Sequence, residues 1–310
     1  MVEFVRYRNL MSDNIRWEGF EFRDDDIVIS TSPKCGTTWT QMMCALLLFD
    51  TADLDRPLTV ISPWLDQQTA NRDDVFAELA SQRHRRFIKT HTPLDGLPYD
   101  ERVTYLCVGR DPRDVAISMD NHWANMDFEQ VFKVRADAVG SDDLQDVMSS
   151  ASLAQRSDDP IERFRVWVDN DTSPTLVGSS LLAVLHHVDT FWAVRDRANV
   201  ALFHYSDYER DLEGEMARLA DVLHIEIAPD RIRELAPAAR LSAMRSRASV
   251  VAPNSNIGIF RDLGVFFHRG ESGQWRGLLD ADDVAHYEAR VRELASPELG
   301  HWMHHGYRGA

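Results

Sequence analysis

Three short stretches of this chain gather residue types suited to holding and moving an anionic group. The first is the turn Ser32-Pro33-Lys34-Cys35-Gly36-Thr37-Thr38-Trp39, set between the strand-type run Ile27-Val28-Ile29-Ser30 and an apolar segment from Met42 to Phe49. A strand that feeds a helix through a tight loop leaves backbone N–H groups at the helix start without partners, and the helix dipole adds to their pull on an anion. Gly36 lets the backbone approach a phosphate, Lys34 adds a point charge, and Thr37 and Thr38 add hydroxyl donors. The second stretch runs from Arg86 to Pro93, a short strand that ends in Lys89-Thr90-His91-Thr92. It sets a cation and an imidazole at the carboxyl end of a strand, where open α/β sheets bind ligands. The third is Arg110-Asp111-Pro112-Arg113-Asp114, which closes the apolar run Val103–Gly109 and opens a helix. Their spacing would let Arg110 at the strand end and Ser118 two turns into that helix reach one anion.

Each stretch also has an ordinary structural counterpart. Gly, Thr and Lys are common in turns and caps, a histidine before a turn is often a structural hydrogen-bonding residue, and Arg110 beside Asp111 or Asp114 would make a plain cap network. A Walker loop fits poorly, because that loop carries its lysine after a second glycine and here Lys34 precedes Gly36.

The surrounding elements read as α/β. The segment after the first turn is apolar nearly all round and belongs inside a core, and Val103–Gly109 and Asn199–Tyr205 read as buried strands. Helical spacing returns over Leu181–Arg195, and again from Asp207 or Tyr208 through Leu223. Residues 1–26 form an irregular lead-in anchored by Trp17 and Phe20, and Arg56–Asp66 is a proline-containing loop in which Trp64 either anchors the loop or faces a substrate. Residues 125–178 are acidic and aperiodic, as lids and binding loops are, with short helices expected around Phe128–Ala136 and Ile161–Val168. The expected architecture is a single α/β domain over residues 1–310, with a central, mostly parallel sheet flanked by helices and a P-loop-like strand-loop-helix at its centre.

Composition narrows the partners. A net charge of −16 argues against nucleic acid or an anionic membrane as the main partner, so an anionic ligand must be held by a local positive pocket. Three cysteines, Cys35, Cys44 and Cys107, cannot all pair and have no metal spacing, which favours a reducing cytoplasm. Cys35 stands beside a lysine and a helix start, a setting that lowers a thiol pKa, but a small residue that fits is the better reading. No apolar run is long enough for a membrane span, so an integral membrane protein is not expected.

Pro33-Lys34-x-Gly36-Thr37-Thr38-Trp39 resembles the 5′-phosphosulfate loop of the sulfotransferases that use 3′-phosphoadenosine 5′-phosphosulfate (PAPS) and release 3′,5′-ADP (PAP). Further strings match in that family's order, covering about residues 27–277: Lys89-Thr90-His91-Thr92-Pro93, Arg110 through Ser118, Tyr205 near a strand end, Leu241-Ser242-Ala243-Met244-Arg245, and Phe266 through Trp275. The resemblance implies that Lys34, Cys35, Gly36, Thr37, Thr38 and Trp39 cradle the phosphosulfate end of the donor. It further implies that Arg110 and Ser118 hold its 3′-phosphate, and that Tyr205, Leu241, Met244 and Phe266 contact the nucleotide. His268, Arg269 and Gly270 then form a second phosphate-contacting turn, matching Arg-Lys-Gly-x-x-Gly-Asp-Trp. The chain departs at Ala239 and Leu241, where relatives often carry threonine and phenylalanine, and at His268 and Gln274, where they carry a basic residue and aspartate. Ser62-Pro63-Trp64-Leu65-Asp66, His84 through Gly96, and Met244-Arg245-Ser246-Arg247-Ala248 are similar to strings of actinobacterial sulfotransferases regarded as acting on glycolipids.

Sulfuryl transfer to a hydroxyl resembles phosphoryl transfer, in which catalysis is mostly positioning and charge stabilisation. His91, with an ordinary pKa of about 6.5, suits the base. Lys34 suits the leaving bridging oxygen and Lys89 the transferring group, each such donor being worth roughly 3 kcal/mol. No metal is required. The implied acceptor is a hydroxyl on a small molecule or glycolipid, with phenols and simple alcohols as alternatives. An ATP-dependent small-molecule kinase is the runner-up, followed by a non-catalytic module that kept the nucleotide pocket. A homodimer is an open arrangement: there is no clear copy of the Lys-x-x-x-Thr-Val-x-x-x-Glu dimer string of animal relatives.

Overall fold

Four parallel strands, β1 (Ile27–Ser30), β2 (Phe87–Thr90), β3 (Thr104–Gly109) and β4 (Val200–His204), form one sheet in the order β2-β1-β3-β4. The structure is a computed structural model that describes residues 4–144, 157–267 and 270–307. Alternation along each strand sends neighbouring residues to opposite faces. Ile27, Ile29, Phe87, Leu106, Val108 and Phe203 enter one apolar layer with Met42, Met43 and Leu46. Val28, Ile88, Tyr105, Cys107 and Leu202 enter the other, packed on Val184, Leu185 and Val188 of the helix Leu181–Trp192. Both faces are covered, as the near-continuous apolar strands require.

The chain runs from β1 to β2 on one side and then crosses to β3 on the other. Ligand crevices in open α/β sheets lie outside the carboxyl ends of the strands at such a switch. The loops leaving β1, β2 and β3 are the three chemistry-bearing stretches. The loop after β1 feeds α1 (Thr37–Phe49), which is buried along most of its length. The loop after β3 feeds α2 (Pro112–Asn125), with Pro112 in the first turn and Asp111 capping the Arg113 amide.

The helix expected over Leu181–Arg195 ends at Trp192, the Arg56–Asp66 loop carries the short helix Leu58–Ile61, and two further boundaries moved for a capping reason. β4 ends at His204, and Tyr205 opens a helix, because the His204 side chain accepts from the Ser206 amide and ends the extended run. The helix expected through Leu223 is two, Tyr205–Arg210 and Leu212–Val222, since Asp211 leaves helical geometry to cap the Gly214 amide. In the acidic stretch, helices occupy Phe128–Val139 and Pro160–Val168, while residues 145–156 lie outside the described residues.

Candidate active site

Gly36 is the N-cap of α1 with φ +98°, a left-handed conformation that a side chain strains. Tyr205 closes over it: a Cβ there would lie 3.1 Å from the tyrosine ring. Gly36 brings no capping side chain to α1, so the leading amides of the helix are left to an anion, with the dipole behind them. Thr37 Oγ1 is tied to Thr31 Oγ1 at 2.6 Å, and Thr38 borders the cavity beyond.

Lys34 also has positive φ, at +69°. Its Nζ sits 4.4 Å above the Phe266 ring, and no described carboxylate pairs with it. Burial, with Arg110 and Lys89 nearby, pulls its pKa down to about 7. Lys89 is 6% exposed, with Nζ 4.4 Å above Trp64. Burial lowers its pKa to about 8 against the opposing charge of Asp66. Arg110 is 3% exposed; it donates to the Lys34 carbonyl at 2.9 Å and the Glu271 carbonyl at 3.4 Å, and lies 4.0 Å over Tyr205. Its Nε is buried with no partner among the described residues. The cap network at this corner does form, but Arg113 takes Asp111, and Asp114 accepts the Gly273 and Gln274 amides at 2.7 and 2.9 Å. Arg110 is thereby left out of it. Three cations in a sheltered cavity are costly without an anion, and an anion between them removes that cost.

His91 borders the same cavity. Its Nδ1 is 2.7 Å from the Thr31 carbonyl, which can only accept, so Nδ1 carries the proton and Nε2 the lone pair. Burial and the charge on Lys89 hold its pKa well below the ordinary value, so the ring is a neutral base at physiological pH. Trp64 packs edge-on against it at 4.9 Å.

The geometry also shows a residue that sequence reasoning passed over. Asp66, fully buried, accepts from Thr90 Oγ1 and Thr92 Oγ1, both at 2.6 Å, from Trp64 Nε1 at 2.6 Å and from Trp17 Nε1 at 3.1 Å. It thus fixes both residues flanking His91 and the indole that touches His91 and Lys89. In an Asp66→Asn variant the site keeps its four donors but loses half their acceptor, at roughly 1–3 kcal/mol for each donor stranded. Losing the charge that supports Lys89 should also move the alkaline limb of the kcat/KM profile to lower pH; an unmoved limb would remove Asp66 from the site.

The cavity, of about 270 Å³, is bordered by Lys34, Gly36, Thr37, Thr38, Trp39, Lys89, His91, Arg110, Ser118, Tyr205, Leu241, Met244, Phe266 and Gly270. Cys35 is the exception among the expected site residues described. Its side chain packs with Val28 and Cys107, its amide is bound to the Ser32 carbonyl, and burial pushes its thiol up to about 12, so it offers the anion neither a thiolate nor a free N–H. His268 and Arg269 lie outside the described residues. Part of the wall is apolar, where Leu10, Met11, Trp123, Met126 and Phe260 form one cluster. Nothing in the lead-in sequence signalled that Leu10 and Met11 fold across to this wall.

A parallel-sheet fold with an anion cradle, three cations and a neutral imidazole at one crevice defines an enzyme that moves a charged group. The chain belongs to the sulfotransferase family: the sulfotransferase domain model matches residues 24–299. A glycolipid sulfotransferase of Mycobacterium bovis (strain BCG / Pasteur 1173P2) is 46% identical over 319 residues, covering 100% of this chain and 97% of that protein. Human sulfotransferase 1E1 is 22% identical over 310 residues, covering 94% and 90%. Among solved structures, retinol dehydratase in complex with androsterone and inactive cofactor PAP aligns with TM-score 0.68 at 20% identity, covering 93% of this chain and 89% of that one. Mouse sulfotransferase SULT7A1 complexed with PAP aligns with TM-score 0.66 at 17% identity, covering 93% and 90%. Family membership replaces the kinase alternative.

Proposed function

We propose that this sulfotransferase draws its sulfuryl group from PAPS and passes it to a hydroxyl on the sugar headgroup of a lipid, releasing PAP. The observation that carries the reading is the convergence of Lys34, Lys89 and Arg110 on the cavity that His91 faces, with the Arg110 Nε buried and unpartnered among the described residues. That charge fits a donor with two anionic ends. The donor supplies an activated sulfuryl group on a mixed anhydride.

The chain's residues do the rest. The α1 amides with Thr37 and Thr38 would hold the phosphosulfate end, and Arg110 with Ser118 the 3′-phosphate. Trp39, Leu241, Met244 and Phe266 would wall the adenosine, with Tyr205 stacked beneath Arg110. His91 Nε2 takes the proton of the acceptor hydroxyl, while Lys34 neutralises charge on the leaving oxygen and Lys89 steadies the sulfuryl oxygens. The apolar part of the wall suits a lipid or aromatic aglycone, and the near full-length similarity to mycobacterial glycolipid sulfotransferases favours the lipid. Transfer from labelled PAPS to octyl glucoside, 1-octanol and p-nitrophenol tests the acceptor class; label on the phenol alone would overturn it.

A lysine held near pKa 7 in the free protein, and returned toward its ordinary value by a bound anion, takes up a proton on binding. Binding of 3′,5′-ADP at pH 8 should therefore take up about one proton per site, and its affinity should fall as pH rises through Lys34 and Lys89. Calorimetry in buffers of different ionisation enthalpy measures the uptake, and zero uptake would remove Lys34 from the anion site.

A further inference from the structure

Ser118 and His122 lie one turn apart on the same face of α2, and both border the cavity. The His122 ring packs 5.3 Å from Phe260, on the apolar acceptor wall, and 5.9 Å from Phe266, the ring that carries Lys34 Nζ. His122 therefore sits one aromatic ring from the cationic centre, on the acceptor's side of it. Its Nδ1 is buried and has no hydrogen-bond partner among the described residues. A buried, unpartnered polar atom in a cavity wall calls for a ligand group. Burial, with the charges of Lys34 and Lys89 and the nearby His91, holds the ring well below its ordinary pKa, so it faces the cavity as a neutral imidazole with one N–H and one lone pair. Without a charge, such a ring holds phosphate or carboxylate less strongly than the nearby cations do. It suits a hydroxyl, which accepts from one nitrogen or donates to the other.

The reacting hydroxyl belongs to His91, so the group at His122 is a second one on the same acceptor. We infer that His122 binds a hydroxyl neighbouring the one that is sulfated, and so selects acceptors that present a polyol, such as a sugar ring, over those with a single hydroxyl. The inference rests on the acceptor reading given above and goes beyond it by naming the residue that reads the headgroup. His122 is a specificity residue here; the proton transfer remains with His91.

The test compares octyl β-D-glucoside with 1-octanol, which share an alkyl chain and differ in the headgroup, in the wild type, His122→Phe and His122→Gln. His122→Phe is expected to lose at least tenfold more kcat/KM on the glucoside than on octanol, mostly through KM, and to spread sulfation over several ring hydroxyls where the wild type favours one. His122→Gln, able to donate and accept, should recover most of both effects, and unchanged 3′,5′-ADP affinity in either variant reports an intact fold. Equal losses on the two acceptors, or an unchanged product pattern in both variants, would overturn the role of His122. A wild type that sulfates octanol or p-nitrophenol but never the glucoside would instead overturn the acceptor reading itself, and this inference with it.

Discussion

Replacing His91 by alanine is expected to lower kcat by roughly 10²–10⁴-fold, the range that positioned acid–base groups contribute, while 3′,5′-ADP affinity changes by less than about threefold. The split follows from where the ring is held. Its Nδ1–H is committed to the Thr31 carbonyl, so the nitrogen lost from the cavity is a base and not an anion ligand. Burial and Lys89 keep the wild-type imidazole neutral well into the acid range, so the acid limb of kcat/KM should lie below the pH of about 6.5 that a free histidine would give. The sign is that of a depressed histidine: activity stands above the lowered pKa and falls as pH drops through it. His91→Gln keeps a donor to Thr31 but supplies no base, and should be about as inactive as alanine; substantial turnover by either variant would end the assignment of His91 as the base. A matched loss of 3′,5′-ADP affinity would point instead to collapse of the loop that Thr90 and Thr92 tie to Asp66.

What could be read from the chain alone follows distance along it. Lys34, Gly36, Thr37 and Thr38 were readable because an anion site at a helix start is local: strand, turn and helix follow one another within a single stretch. Lys89 with His91, at one strand end, and Arg110 with Ser118, at a strand end and in the helix that follows it, were readable for the same reason. The four strands showed through as short apolar runs. Asp66 was not readable, because its meaning lies in partners as far apart as Trp17 and Thr92, which meet only after β1 and β2 pair. His122 looked like any helix residue until Phe260 and Phe266, far along the chain, closed around it. Cys35 shows the reverse error. The resemblance put it in the phosphosulfate cradle, but its side chain is buried in the same apolar cluster as Val28 and Cys107, as the reading of a small residue that fits expects. Trp39, Leu241 and Met244 come from separate elements, and only resemblance to a family joined them before the cavity did.

The second large effect is expected at Arg110. An Arg110→Met variant keeps the aliphatic packing over Tyr205 and removes the charge, so the free protein should retain its fold with Tm within a few degrees of wild type. A buried arginine whose Nε has no partner among the described residues, whose hydrogen bonds among them go to the carbonyls of Lys34 and Glu271, and whose charge meets Asp114 and Glu209 only through space, contributes less to the empty protein than to an anion that completes it. Losing that buried charge partner costs about 3–5 kcal/mol, which raises Kd for 3′,5′-ADP by roughly 10²–10⁴-fold. The loss should be confined to the 3′-phosphate. Affinity for 5′-AMP, which lacks it, should change little, so the preference for 3′,5′-ADP over 5′-AMP collapses toward unity. Removing Arg110 also lifts part of the repulsion on Lys34, so the residual binding of 5′-AMP should persist to higher pH than in the wild type. Binding of both nucleotides across pH 6–9 measures all of this at once. A variant that keeps the wild-type preference would show that the 3′-phosphate is read elsewhere, and the buried guanidinium would then have to be explained as a brace between the β1 loop and the segment at Glu271.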